Sequence, residues 1–136
     1  IAWSVTNRSP LIRIPVTRGE GTRVELRSPD SAANPYLTLA VCLQAGLDGI
    51  RNQIEPPAAV TENVYEMRLK QKHELGIEEL PADLGEALDA FEQDEYLHKV
   101  LGKHITEKYV EAKRAEWADY RSQVTSWEID NYLYKI

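Results

Sequence analysis

Near its start the chain has two short runs in which apolar and charged residues alternate. The first, residues 7–15, sets Leu11, Ile12 and Ile14 around Arg13; the second, residues 22–27, alternates Arg23, Glu25 and Arg27 with Val24 and Leu26. A repeat of two is the spacing of an extended strand, whose successive side chains point to opposite faces. The polar, flexible loop over residues 16–21 contains two glycines and reads as the connection between the runs. The pattern therefore predicts a strand pair with Arg23, Glu25 and Arg27 on one face and Val24 and Leu26 on the other. Pro10 and Pro15 lack a ladder donor, which confines the first strand to a sheet edge or places the prolines at its ends. Residues 1–6 are too few to assign, although Trp3 implies packing there.

Ser28-Pro29-Asp30 ends the extended segment, and Asn34-Pro35 is a helix start: Asn caps the free N–H groups, and Pro stands where its missing N–H does no harm. The following residues to about Ile50 are apolar nearly all round, the pattern of a helix buried on every side. After Pro56-Pro57 the chain becomes helical and acidic. The signals predict a short polar helix over 68–75 ending at Gly76, a helix capped by Asp83 with Leu84, Ala87, Leu88 and Phe91 on one face, and another over 94–101 stopped by Gly102. A long helix is predicted to start at Ile105-Thr106, with Thr106 as cap and Ile105 stapled onto Val110. Thr125-Ser126-Trp127-Glu128 has the form of a capping box, and the aromatic end, residues 130–136, is expected to dock on its own domain or on a neighbour. The fold class is α+β: a short antiparallel strand pair or sheet edge over residues 1–33, a buried helix over 34–54, and a mainly helical region over 55–136.

A chain of 136 residues is enough for one domain with a modest core. Beginning at Ile1, it reads as a piece of something longer. The net charge of -6 is unevenly spread. Residues 1–30 carry five Arg against three acidic groups, while the remainder carries eleven basic against nineteen acidic residues. An acidic chain with one cationic patch is ill suited to nucleic acid, which asks for many phosphate contacts, but suits a small multiply charged anion. The single Cys42 provides neither a disulfide framework nor a thiolate metal site and reads as a core residue. No run is long and apolar enough to suggest a membrane span, and the cytoplasm is the expected compartment.

The chemistry concentrates in the strand pair. A carboxylate between guanidiniums on a pleated face can hold a metal ion beside an anion, because Arg offers a rigid fork to phosphate or carboxylate oxygens. The same alternation also describes a solvated face with weak cross-strand ion pairs. Elsewhere, Glu95-x-x-His98 has the spacing of a di-metal helix but occurs once, where such a site needs two copies. His73, His98 and His104 share no ligand spacing and read as surface or capping residues. The alternating Lys, Glu and Arg of residues 107–121 read as a solvated helix face.

The word order carries more than the charge pattern. Asn7-Arg8-Ser9, Ile12-Arg13-Ile14-Pro15, Arg23-Val24-Glu25-Leu26-Arg27, Pro29-Asp30, Ala32-Ala33-Asn34-Pro35-Tyr36-Leu37 and Ala45-Gly46-Leu47-Asp48-Gly49-Ile50 together resemble the C-terminal part of bacterial type I glutamine synthetase. The likeness departs from that family at Ser31, where Pro is usual, and loosens after Glu62. The resemblance implies an ATP-dependent glutamate–ammonia ligase working through a γ-glutamyl phosphate. It implies Glu25 as a ligand of Mg2+ or Mn2+ and Arg27 as the arginine on glutamate and its phosphorylated form. It implies Arg8 on ATP phosphate and glutamate, and Arg13 on the ATP side. Arg18 and Arg23 receive no role, and Tyr65 stays an ordinary tyrosine. Glutamate, ammonia and ATP are the implied small-molecule partners, and stacked six-membered rings, a dodecamer, the implied assembly. Transcription regulators, bound by some Gram-positive relatives, are a second implied partner; nucleic acid and membrane are not. Because the family's other metal ligands lie N-terminal to this stretch, the 136 residues alone are expected to be inactive. The competing expectation is a non-catalytic helical interaction or oligomerisation module.

Overall fold

The computed structural model describes residues 1–133 and 135. Tyr134 and Ile136, which belong to the expected docked aromatic end, lie outside them. Where one domain is expected, the chain forms two compact units, Ile1–Leu80 and Pro81–Ile136.

The first unit contains a three-stranded sheet of very short strands in the order β1 (Trp3–Ser4), β2 (Ile12–Arg13), β3 (Glu25–Leu26). β1 runs parallel to β2, with Trp3 beside Ile12 and Ser4 beside Arg13. β2 runs antiparallel to β3, with Ile12 opposite Leu26 and Arg13 opposite Glu25. The expected antiparallel pair is present, and β2 is central because the unassigned N-terminus supplies a third strand. Pro10 and Pro15 flank the paired residues, so neither takes a ladder position. The 57–64 segment lies alongside β1: Trp3 donates its indole N–H to the Pro57 carbonyl at 2.7 Å, Val60 N–H reaches Trp3 O at 2.8 Å, and Val64 N–H reaches Ser9 Oγ at 2.9 Å. This segment closes a small core of Ala2, Val60 and Met67, with Val64 and Ile77 packed against it.

The loop expected to be flexible is tied down. It contains a single 3-10 turn, Gly19–Gly21, and Arg18 Nη1 donates to the Pro15 and Thr17 carbonyls at 2.7 and 3.1 Å.

Helix α1 (Pro35–Arg51) starts as the sequence requires: Asn34 Oδ1 accepts from Tyr36 N and Leu37 N at 3.0 and 3.2 Å. Its expected burial is not reached within these residues. It has no buried residue, and it packs on no other helix or strand among the described residues. Tyr36, Leu39, Leu43 and Ile50 fall three, seven and fourteen residues apart on one stripe, with Tyr36 83% and Ile50 76% exposed. An all-round apolar helix needs apolar surface on several sides, and the small core beside the sheet does not supply it. α2 (Leu69–Glu74) follows and ends near Gly76, whose φ of 63° is the left-handed conformation that closes many helices.

The described elements of the second unit are helical: α3 (Leu84–Gln93), α4 (Glu95–Leu101), α5 (Lys103–Ser122) and α6 (Ser126–Glu128), the last continuing as a π-helical turn, Ile129–Leu133. Asp83 and Asp94 cap α3 and α4 through Glu86 N–H at 2.9 Å and Leu97 N–H at 3.0 Å. Thr125 and Glu128 form the expected box, Thr125 N–H donating to Glu128 Oε2 at 2.8 Å and Glu128 N–H to Thr125 Oγ1 at 3.2 Å. α5 begins earlier than expected. Gly102, at φ 77°, turns α4 directly into α5 and takes the capping position, so Thr106 lies inside the helix, buried, with its hydroxyl unpartnered. α3 and α4 both pack on α5, and Leu88 of α3 is 2% exposed. Arg114 of α5 ties to Asp89 and Glu92 of α3.

Candidate functional site

β2 and β3 bring two of the expected site residues into contact. In an antiparallel pair, directly opposed side chains come about 5 Å apart at Cβ. The register sets Arg13 against Glu25, and Arg13 Nη1 donates to Glu25 Oε2 at 2.9 Å. On the other side Arg23 Nε donates to Glu25 Oε1 at 2.8 Å, its Nη2 is equally close, and its Nη1 reaches the Gly21 carbonyl at 3.1 Å. The carboxylate between two guanidiniums is present, but they are Arg13 and Arg23, where the alternation within one strand pointed to Arg23 and Arg27. The register explains the change, since a cross-strand neighbour stands closer than a residue two places along the same strand. Arg23 still reaches Glu25 because the ladder begins only at Glu25, leaving Arg23 on a segment just emerging from the 3-10 turn.

Arg13 is the better fixed of the two, its side chain 19% exposed against 50% for Arg23. Its Nε is buried without a hydrogen-bond partner. Such an atom is a donor in search of an acceptor, since buried polar groups are otherwise almost always paired. Arg27 continues the same side of β3, its backbone N–H donating to the Leu11 carbonyl at 2.9 Å. Its guanidinium forms no hydrogen bond or ion pair with the described residues, and it borders a 260 Å3 pocket with Ser9, Pro10, Leu11, Ser28 and Tyr65. Arg8 is exposed and likewise unpaired among the described residues. The structure thus joins Arg13 and Glu25 directly, sets Arg27 two residues further on, and gives Arg8 no hydrogen bond or ion pair to the cluster among the described residues. Arg23, which the resemblance leaves without a role, stands on Glu25 as the strand alternation expects.

The paired arginines hold the Glu25 carboxyl below its ordinary value, the Arg13 hydrogen bond being the largest cause, against a smaller opposing effect of desolvation. At neutral pH it is an anion with fixed oxygens. A hard carboxylate oxygen is the donor that Mg2+ or Mn2+ takes. One such group is a single ligand, however, and no cluster of three His, Cys, Asp or Glu side chains forms among the described residues. Glu25 therefore fits as one contributor to a divalent-cation site that needs further ligands.

His98 is structural: its Nε2 lies 2.9 Å from the Phe91 carbonyl, and its ring meets Phe91 edge-on. The charged face of α5 carries local pairs such as Lys108–Glu111 and Lys113–Glu116, both at 2.6 Å, as expected of a solvated face. No helix among the described residues is long and apolar enough to cross a membrane.

The family profile described as glutamine synthetase, catalytic domain, matches residues 1–132. The chain is 52% identical over 135 residues to the glutamine synthetase of Clostridium saccharobutylicum and 53% identical over 133 residues to that of Methanocaldococcus jannaschii. These alignments take in 99% and 98% of this chain but 30% and 29% of the relatives, so the chain spans about three-tenths of their length. Among solved structures, those described as "Apo GmaS without ligand" and "GmaS/ADP complex-Conformation 1" superpose with TM-scores of 0.81 and 0.83. Each is 42% identical; 98% and 97% of this chain and 30% and 29% of those chains are covered.

Proposed function

Because the chain belongs to the glutamine synthetase catalytic-domain family, we propose that it is the C-terminal portion of that domain in a bacterial type I enzyme, forming one wall of the cleft where glutamate, ATP and ammonia react. Residues 1–33 carry the site, 34–54 the apolar helix and 55–136 the helical region. The observation that carries this reading is the Arg13–Glu25–Arg23 assembly, with the unpaired Arg27 beyond it. Fixed positive groups around an anionic oxygen are what phosphoryl transfer asks of a protein, whose main task there is to position and to stabilise charge.

In the longer protein, ATP phosphorylates the side-chain carboxylate of glutamate, and ammonia displaces phosphate from the γ-glutamyl phosphate. Arg27 holds glutamate and the phosphorylated carboxyl. Arg8 contacts ATP phosphate and glutamate, and Arg13, with its spare Nε donor, serves the ATP side. Glu25 supplies one oxygen to Mg2+ or Mn2+, which when bound neutralises charge on the phosphoryl oxygens. The enzyme works in the cytoplasm as stacked hexameric rings, a dodecamer, with transcription regulators as a further class of partner. The reading as a free-standing interaction module has no comparable support, since relatives share half of the residues over nearly all of this chain.

The test is substitution in the full-length protein with glutamine formation as readout. Glu25→Gln is expected to lower kcat about a hundredfold or more while leaving the unfolding transition in place. Arg27→Ala is expected to raise KM for glutamate. An active Glu25→Gln enzyme, or enzyme-like turnover by the 136 residues alone, would overturn the proposal.

A further inference from the structure

Each Glu25 oxygen already has a guanidinium on it. Oε2 accepts from Arg13, and Oε1 from Arg23 Nε with Nη2 equally near. A divalent cation taking this carboxylate at about 2.0–2.1 Å, the Mg2+ distance, arrives at oxygens held by two positive groups. Like charges that close repel, so the least anchored guanidinium gives way. The two are held very differently. Arg13 stands on the central strand, directly opposite Glu25, with its side chain mostly covered. Arg23 lies before the ladder begins, is half exposed, and among the described residues has only the Gly21 carbonyl as a second anchor.

We propose that Arg23 and the divalent cation compete for Glu25: Arg23 holds the carboxylate in place in the metal-free protein and swings off Oε1 when the cation binds, while Arg13 stays. Arg23 is then a positioning residue whose guanidinium stands in for the metal. This rests on the assignment of Glu25 as a metal ligand and adds to it an order of events at one oxygen. The occupied carboxylate also opposes adventitious cations, since any of them must first displace Arg23.

Two measurements on the full-length protein test this. Mn2+ affinity, read by electron paramagnetic resonance of the free ion, is compared between the wild type, Arg23→Gln, Arg23→Lys and Glu25→Gln, the last identifying the site that depends on Glu25. Arg23→Gln is expected to tighten that site about fivefold or more, the usual scale of coupling between two ligands, with Arg23→Lys in between. A residue that merely braced the loop would weaken the site when removed. Crystal structures without metal and with Mg2+ then give the second readout: Arg23 Nε within hydrogen-bond distance of Oε1 in the first and clear of it in the second. Unchanged or weakened affinity in Arg23→Gln, or Arg23 remaining on Oε1 beside a Glu25-bound metal, overturns the competition and leaves the ligand assignment standing. Absence of metal from Glu25 in every variant overturns both.

Discussion

Arg13 and Glu25 face each other across the β2–β3 register, with Nη1 of the one 2.9 Å from Oε2 of the other. They are twelve residues apart in sequence, and only the closing of a tight loop brings them together. Arg18, bonded to the Pro15 and Thr17 carbonyls, helps close that loop. The contact fixes the direction of the one carboxylate the site offers.

Acid should undo this arrangement in a defined direction. Glu25 is held below its ordinary value of 4.5, first by the Arg13 hydrogen bond and then by Arg23. A carboxyl whose value is lower folded than unfolded adds stability that is full above the unfolded value and is lost as the pH falls through the folded one. Carbon-13 NMR of the Glu25 carboxyl is expected to give a midpoint below 4.5, and Arg13→Gln to raise it more than Arg23→Gln. The reverse order would show that the cross-strand bond is the weaker of the two.

Gly85 should not tolerate a side chain. A methyl group there would stand 2.6 Å from Trp117 Nε1 and 2.9 Å from its Cε2, beneath an indole that is itself stacked on Tyr120 with ring centres 5.7 Å apart. Replacing glycine by alanine helps a helix by at most about 1 kcal/mol, the value for its interior, and Gly85 stands in the first turn of α3. Here overpacking of about 1–3 kcal/mol opposes it. Gly85→Ala is expected to lower the urea midpoint of the helical unit and to shift Trp117 fluorescence; a raised midpoint would mean that the α3–α5 contact has room to spare.

The stripe of Tyr36, Leu39, Leu43 and Ile50 should make the 136-residue chain sticky. Contiguous exposed apolar surface of this kind is uncommon on monomers and drives association. Sedimentation of the isolated chain is expected to show concentration-dependent association, and Leu39→Ser with Leu43→Ser to reduce it while the helix remains. A monomeric parent chain that binds no apolar dye would show that the stripe is covered in solution.

Much of the helical half was legible because its signals are local. Asn34, Asp83, Asp94 and Thr125 each bond backbone N–H groups two or three residues away, and Gly76 and Gly102 take left-handed turns that few other residues accept. The exception was also local: Gly102 started α5 before Thr106 could cap it. The site was legible in its residue types and in the run of words that resembles a known family, but not in its pairings. Alternation along one strand offered Arg27 as the second guanidinium, whereas register supplied Arg13.

The sequence by itself determined where helices begin and end, that two short extended runs carry the cationic patch, and that Glu25 stands among arginines, because each depends on neighbours a few residues away. Tertiary structure alone decided which arginines touch Glu25, that residues 57–64 close the sheet beside Trp3, and that α1 is left uncovered. Those outcomes depend on which distant segments meet and on how much apolar surface they bring, and neither quantity is written in any local stretch of the chain.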